Sequence, residues 1–323
     1  MRRALFLMSA IICTFQISLA EEADEQKTAF SSVISFGRIV KRNESQVGYS
    51  HSNTKINYNF LQGSNSASST SKIGEYESKV SMGALTYQYG LTDKFVLGLS
   101  LLNDFSNTTQ FTFTSAAKSS GYTDSSSSRS GMRDPALMAG AILKESYDFK
   151  LYILGSYSPK SAERTKTNAV NGGQSGSIQL ATVKSFGDLE FGFSFGYLTY
   201  GVRTQPIESG GTAESSGGNI LNASLAFNYF LNREVSILLQ TDRSMTDLST
   251  TKYSTSTSST DTASYNLAIN YLGLQVALMK DFSFNLKYLQ IATDAVKSTT
   301  GTSVLTLDQA SSNGYSLGFN YYF

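Results

Sequence analysis

Tyr315-Ser316-Leu317-Gly318-Phe319-Asn320-Tyr321-Tyr322-Phe323 puts an apolar side chain at every second position. Residues 315, 317, 319, 321 and 323 fall on one side of an extended chain. Ser316, Gly318, Asn320 and Tyr322 fall on the other. A repeat of two is the repeat of a β-strand. In a soluble sandwich the apolar side would meet a core. In a membrane barrel it meets lipid, with aromatic rings at the interface.

The pattern recurs upstream. Phe282, Phe284, Leu286 and Tyr288 alternate with Ser283, Asn285 and Lys287. Tyr265, Leu267, Ile269 and Tyr271 alternate with Asn266, Ala268 and Asn270. Leu221, Ala223, Leu225, Phe227 and Tyr229 alternate with Asn222, Ser224, Ala226 and Asn228. Leu189, Phe191, Phe193, Phe195 and Tyr197 alternate with Glu190, Gly192, Ser194 and Gly196. Each run has the length of a tilted membrane strand, about ten residues. On this reading the apolar member of each set faces lipid.

Short turns fall at 90–94, 144–148, 185–188, 231–234 and 280–281. Between them lie long Ser/Thr/Gly/Asn-rich stretches at 62–78, 104–131, 158–176, 201–218, 244–262 and 292–312. Short turns at one end and long loops at the other are the signature of an outer-membrane barrel. Six long and five short connections join twelve strands, at 45–61, 79–90, 94–103, 132–144, 149–157, 177–186, 188–200, 219–231, 234–243, 263–279, 281–291 and 313–323. The expected fold is therefore all-β: an antiparallel, up-and-down transmembrane β-barrel of about twelve strands over 45–323. The first strand is poorly phased, with Val47 and Tyr49 in one phase and Ile56, Tyr58 and Phe60 in the other.

Composition agrees. The chain has 19 Tyr, 20 Phe, 3 Pro and only 16% charged residues. Scarce proline suits paired strands. Residues 1–20 read as a cleavable export signal: basic Arg2 and Arg3, an apolar run from Ala4, then Ser18-Leu19-Ala20 before the acidic stretch from Glu21. The single cysteine, Cys13, lies within it. Its removal takes Arg2 and Arg3 from the 26 basic residues against 25 acidic ones, leaving no basic excess to attract nucleic acid. Residues 21–44 read as a periplasmic segment. Phe30, Val33, Ile34, Phe36 and Val40 could form one stripe of a short helix or plug, or the segment could be an extended lead-in.

A chemical site is hard to assemble. His51 is the only histidine, and its neighbours Ser50 and Ser52 point to the opposite face of a strand. A nucleophile and its base must share a face. One histidine and no mature cysteine leave no transition-metal set, and neither an enzyme nor a cofactor is expected. The residues opposite the apolar ones would line a lumen: Gln240 and Asp242 opposite Ile237 and Leu239, and Asn285 and Lys287 opposite Phe284, Leu286 and Tyr288. Asp134 would stand at the mouth, in Gly131-Met132-Arg133-Asp134-Pro135. As turn chemistry, Asp-Pro at a strand start has an ordinary structural role too. The five would act on solutes by charge and hydrogen bonding.

Two resemblances carry the reading further. Ending on the alternation that closes at Phe323 resembles the sorting signal of bacterial outer-membrane proteins. That implies an outer-membrane location, with outer-membrane lipid and the barrel assembly machinery as partners. Gly131 through Leu137 with Gly140, Phe36-Gly37-Arg38-Ile39-Val40, and Tyr89-Gly90-Leu91-Thr92-Asp93-Lys94 resemble motifs of the "MetA pathway of phenol degradation" family of transporter-like barrels. The resemblance implies a passive channel for small, hydrophobic or aromatic solutes, with no catalytic residues. The Ser/Thr-rich loops, such as Ser125–Ser128 and Ser254–Thr260, suit instead a closed barrel serving as a surface scaffold or adhesin.

Overall fold

The computed structural model describes residues 40–64, 71–159, 174–206, 211–232, 234–254, 259–279 and 281–323. The expected signal at 1–20 and most of the 21–44 segment lie outside the described residues.

The elements, in order, are β1 (Ser45–Ser64), β2 (Ser71–Thr92), β3 (Phe95–Phe113), α1 (Ser115–Ser119), β4 (Ser125–Met132), β5 (Ala136–Ser146), β6 (Phe149–Ser158), β7 (Ser175–Phe186) and β8 (Leu189–Tyr200). They continue with β9 (Arg203–Pro206), β10 (Thr212–Gly217), β11 (Ile220–Phe230), β12 (Val235–Thr246), β13 (Ser249–Tyr253), β14 (Ser259–Thr262), β15 (Tyr265–Met279), β16 (Phe282–Thr293), β17 (Val296–Thr300) and β18 (Ser303–Tyr322). Twelve antiparallel strands close into a barrel. The wall runs β1, β2, β3, β5, β6, β7, β8, β11, β12, β15, β16, β18 and back to β1. The seam is sealed where the N–H of Ser45 donates to the carbonyl of Phe323 (2.8 Å) and the N–H of Phe323 to that of Ser45 (3.0 Å).

The long stretches expected as loops are in large part more strand. β4, β9, β10, β13, β14 and β17 continue the wall beyond the membrane, each joined to its transmembrane neighbour through a break of two or three residues. One break is Arg133-Asp134-Pro135, between β4 and β5. Proline has no N–H to give the ladder, so the ladder parts there. The result is a tall rim in the order β9, β10, β13, β14, β17, β18, β1, β2, β3, β4. β6 and β7 end lower.

Polarity inverts with height. Below the rim the outer face is apolar, with Leu85, Tyr87, Leu137, Ile178, Phe193, Leu239, Leu286 and Phe319 exposed. In the rim the outer face is polar: Glu77 takes ion pairs from Lys55 (2.6 Å) and Lys79 (2.7 Å). Those two ammonium groups hold the Glu77 carboxyl below its usual range. The rim interior is apolar. Ile56, Tyr58, Phe60, Tyr76, Phe111, Phe113, Tyr265, Leu267, Ile269, Leu289, Ile291 and Leu307 form one buried cluster, closed from above by Ala117 of α1. Thr114 caps that helix, its side chain accepting from the N–H of Ala117 at 3.3 Å. Burial pushes the phenol pKa values of Tyr58 and Tyr76 up.

This inversion explains the broken phase of the first strand and corrects one reading. Tyr265, Leu267, Ile269 and Tyr271 point inward, not to lipid; on β15 the lipid-facing set begins at Leu272 and Leu274. A strand that leaves the membrane exchanges an apolar surround for water, so its apolar side chains change face.

Phe111→Ala should therefore destabilise the refolded barrel by about 3–5 kcal/mol, as in any packed core. Glu77→Gln, on the wetted outer face, should cost less than about 1 kcal/mol. Urea unfolding in lipid vesicles, followed by aromatic fluorescence, measures both.

Candidate functional site: the lumen

From the long-loop end inward, the lumen has three levels. The apolar cluster of the rim comes first. Its rings meet edge and face: Tyr76 and Phe111 lie 4.8 Å apart between centroids, Phe60 and Phe111 5.7 Å, Tyr58 and Tyr76 6.0 Å. Such pairs add about 0.5–1.5 kcal/mol each beyond area burial.

Below it sits a polar cluster on the β12–β15–β16 wall. The Gln240 amide donates to the Asp242 carboxylate at 2.8 Å. The Ser224 and Tyr271 hydroxyls and the Lys287 ammonium lie close enough to act on that carboxylate. The Lys287 ammonium sits 5.9 Å from the Tyr271 ring centre. Gly273, opposite Lys287 in register, leaves space for the lysine stem; a Cβ there would press on it at 3.2 Å. Directly above are Ile269, Ile291 and Leu289, floor residues of the apolar cluster.

At the short-turn end the lumen is two-faced. Val96, Met138, Tyr152, Leu154, Ala181 and Val183 make one apolar wall, which meets Val40 and Tyr322. Gln46, Asn228, Ser236, Gln275, Ser283 and Asn320 make the opposite, polar wall. Val40 is fully buried, and its segment lies against β2 at Gly90. A Cβ at Gly90 would collide with the carbonyls of Lys41 and Val40, so only glycine permits that approach. Among the described residues, Asn228, the Gln46 and Gln240 carbonyls and the Asn285 carbonyl have no hydrogen-bond partner. Buried polar atoms of this kind take water or solute as partner.

Of the five residues expected in the lumen, Gln240, Asp242 and Lys287 come together in the polar cluster. Asn285 lies one step nearer the short turns, beside Gly318. Asp134 stands apart, buried at the β4–β5 break, where its carbonyl accepts from Ser158 (3.3 Å). Next to it Arg133 donates to the Asp104 carboxylate from Nη2 and Nε, at 2.9 and 3.2 Å for the nearer contacts. The Asp104 side chain is fully buried. The expected lumen was uniformly polar and omitted Tyr271 and the aromatic cluster. The phase break of the first strand was the signal for the latter.

His51 lies on the outer face beside Phe105, with rings 5.4 Å apart. Two residues along the same strand, Asn53 lies 2.9 Å from His51 Nε2, and across on β2 Ser81 lies 3.5 Å from the same atom. An acyl-transfer relay needs nucleophile and orienting group on opposite ring nitrogens. Here both crowd one nitrogen, so the trio has the composition of a relay without its wiring.

A closed barrel with a lipid-facing belt defines a membrane-spanning β-barrel. The fold is similar to that of the COG4313 outer membrane channel from Pseudomonas putida F1, with TM-score 0.56 and 13% identity over 88% of this chain and 97% of that one. Looser similarities are to a TodX monoaromatic hydrocarbon channel mutant (TM-score 0.45, 9% identity, 88% and 91% covered) and the β domain of the Bordetella autotransporter BrkA (0.46, 10%, 86% and 100%). At these identities the likeness is one of fold. No known family matches the chain by sequence, and no curated protein does.

His51→Ala should leave folding and solute flux within about twofold of wild type, since no buried partner is lost. Asp104→Ala should cost about 1–3 kcal/mol by removing a fully buried carboxylate that accepts the Arg133 guanidinium. Vesicle flux assays and urea unfolding test the two.

Proposed function

We propose that this protein is a passive outer-membrane channel for small hydrophobic solutes, aromatic ones included, and not a general porin. The observation that carries the reading is the packed apolar cluster across the long-loop end of the lumen. An apolar constriction expels water and so blocks ions. The same cluster offers a hydrophobic or aromatic molecule the surroundings it prefers, and aromatic rings with which to stack. The polar cluster below supplies a positive group, a negative group and a phenol for a substituent such as a hydroxyl or carboxylate. The apolar wall of β3, β5, β6 and β7 continues the path towards the short turns. In this reading Gln240, Asp242, Asn285 and Lys287 tune solute preference, and Asp134, with the Arg133–Asp104 pair, holds the wall at its break. The "MetA pathway of phenol degradation" resemblance supports the same solute class. The export signal, and the final strand as signal for the assembly machinery, belong to this proposal.

The test is flux into vesicles holding the refolded chain, with a monoaromatic tracer and a sugar of similar size, alongside planar-bilayer conductance. The expected result is aromatic flux with little ionic current. Sugar flux equal to aromatic flux would sink the reading in favour of a porin; no flux of either would favour a surface scaffold. Two variants sharpen it. Tyr76→Ala combined with Phe111→Ala should raise ionic conductance by roughly tenfold, by opening the dry constriction. Lys287→Met should cut flux of an aromatic carboxylate by about tenfold, the effect of about 1.4 kcal/mol, and spare the uncharged parent.

A further inference from the structure

Arg243 and Arg203 both stand in the upper wall, and among the described residues neither has an ion pair. Arg243 faces outward over a groove of about 370 Å³ that Ala223, Ala268 and Ala292 line, with Asp294 also on its edge. It is exposed, and an arginine whose head reaches water needs no partner. Arg203 faces the other way. On β9 it lies opposite Ser215, and Ser215 lies opposite Thr251. The Ser215 and Thr251 hydroxyls meet at 2.9 Å and Thr251 is buried, so this row looks into the rim. Glu214, the neighbour of Ser215, alternates to the outer face and is exposed.

Tyr200 closes β8 and Arg203 opens β9. The guanidinium carbon stands over the Tyr200 ring, 4.5 Å from its centre. The ring covers one face of the cation and leaves its N–H edge free to donate. Nη2 donates to the carbonyl of Gly217 at 3.0 Å. Nε is buried and, among the described residues, has no acceptor. Tyr265 lies close enough for the two groups to act on each other electrostatically. The Thr246 hydroxyl, opposite Tyr265 in register, lies near the phenol, and both are buried with no other hydrogen-bond partner among the described residues. Leu198, Ile220, Thr246 and Tyr265 form one inner row, which joins this corner to the apolar cluster. A cation withdrawn from water without an anion is costly. Burial accordingly pulls the Arg203 pKa below its usual value.

We propose that Arg203, Tyr265 and Thr246 form an anion-binding site at the mouth of the lumen, which takes the carboxylate of a small amphipathic solute such as an aromatic acid. The guanidinium offers that carboxylate a charged donor edge, and the two hydroxyls add neutral donors. A water meeting the same donors would leave the cation unneutralised. The apolar cluster beside the site takes the ring of the same molecule. Cations then bracket that cluster, with Arg203 beside Tyr265 and Lys287 beside Tyr271. Those two tyrosines are six residues apart on β15, or about 20 Å at about 3.4 Å per residue. A carboxylate released by the first cation finds the second on the far side of the apolar cluster. As a stage on a solute path the site rests on the channel reading; as a binding site it does not.

The experiment is isothermal titration calorimetry of the refolded full chain in neutral detergent, with cinnamate and with its uncharged methyl ester, against protein-free micelles as the blank. It is run in a Lys287→Met background, which leaves Arg203 as the carboxylate site under test. Folding is verified for each variant by heat-modifiable gel mobility. Cinnamate should bind more tightly than the ester. Adding Arg203→Gln should weaken cinnamate by about tenfold, the scale of one lost charge-assisted contact, and spare the ester. Arg203→Lys, which keeps the charge and loses the fork, should restore part of the difference. Tyr265→Phe should weaken cinnamate by about threefold, the scale of one neutral hydrogen bond. Equal affinity for acid and ester at the outset, unchanged cinnamate affinity in Arg203→Gln, or equal losses for acid and ester would each overturn the proposal. So would cinnamate binding about tenfold tighter in Glu208→Gln. Glu208 lies outside the described residues, and that result would make it the anion that already neutralises Arg203. Binding is read here without transport. A vesicle assay that finds no passage therefore sinks the channel and leaves this site standing, and a failed titration does the reverse.

Discussion

Hydrocarbon offers a peptide group no hydrogen-bond partner, and the rest of this structure depends on that. A strand crossing lipid must find all its partners in other strands, and a sheet can do so only by closing. Closure joins β1 to β18 through the Ser45–Phe323 pair and fixes an enclosed interior. Everything of functional interest then sits on one of two surfaces, the face towards lipid and the face towards the lumen. Because side chains alternate along each strand, those surfaces are built from interleaved residues of the same segments.

The second constraint is the level at which lipid gives way to water. Below it the apolar residues point out and the polar ones in; above it the assignment is reversed. β1 shows both halves within a single strand, Val47 and Tyr49 outside and Ile56, Tyr58 and Phe60 inside. The rim is in effect a piece of soluble β-structure with its own core, fused onto a membrane barrel. That core lies across the lumen, so in the proposed channel packing and permeation are the same question. Tyr58, Tyr76 and Phe111 stabilise the rim and restrict the lumen with the same atoms.

The groove on the outer face follows from a similar economy. Alanines where the wall meets the upper edge of the lipid belt leave Arg243 and Asp294 standing over a trench, with hydrocarbon on one side and water on the other. A barrel wall is only one strand thick, so a row of small residues in register is enough to shape a groove on its outer face. The Arg133–Asp104 pair shows the opposite solution at the β4–β5 break: there two charges satisfy each other and hold the wall.

Local alternation, turn chemistry and loop spacing determined the architecture from the sequence alone: twelve strands, their order, their ends at the short turns and which connections are short. Period-two alternation is a property of neighbouring residues, so no tertiary information is needed to read it. Gln240 and Asp242 could be placed together for the same reason, being two residues apart on one strand. What sequence could not decide is which face of a strand meets which surround once the strand leaves the membrane, because the same apolar set reads alike against lipid and against a core. Tyr265, Leu267, Ile269 and Tyr271 were legible as one face, yet only the closed structure turns that face inward. Lys287 comes near Asp242, and Ala223, Arg243, Ala268 and Ala292 form a row, through registers between different strands. Those registers are set by closure and by backbone pairing across the whole barrel, and no local segment contains them.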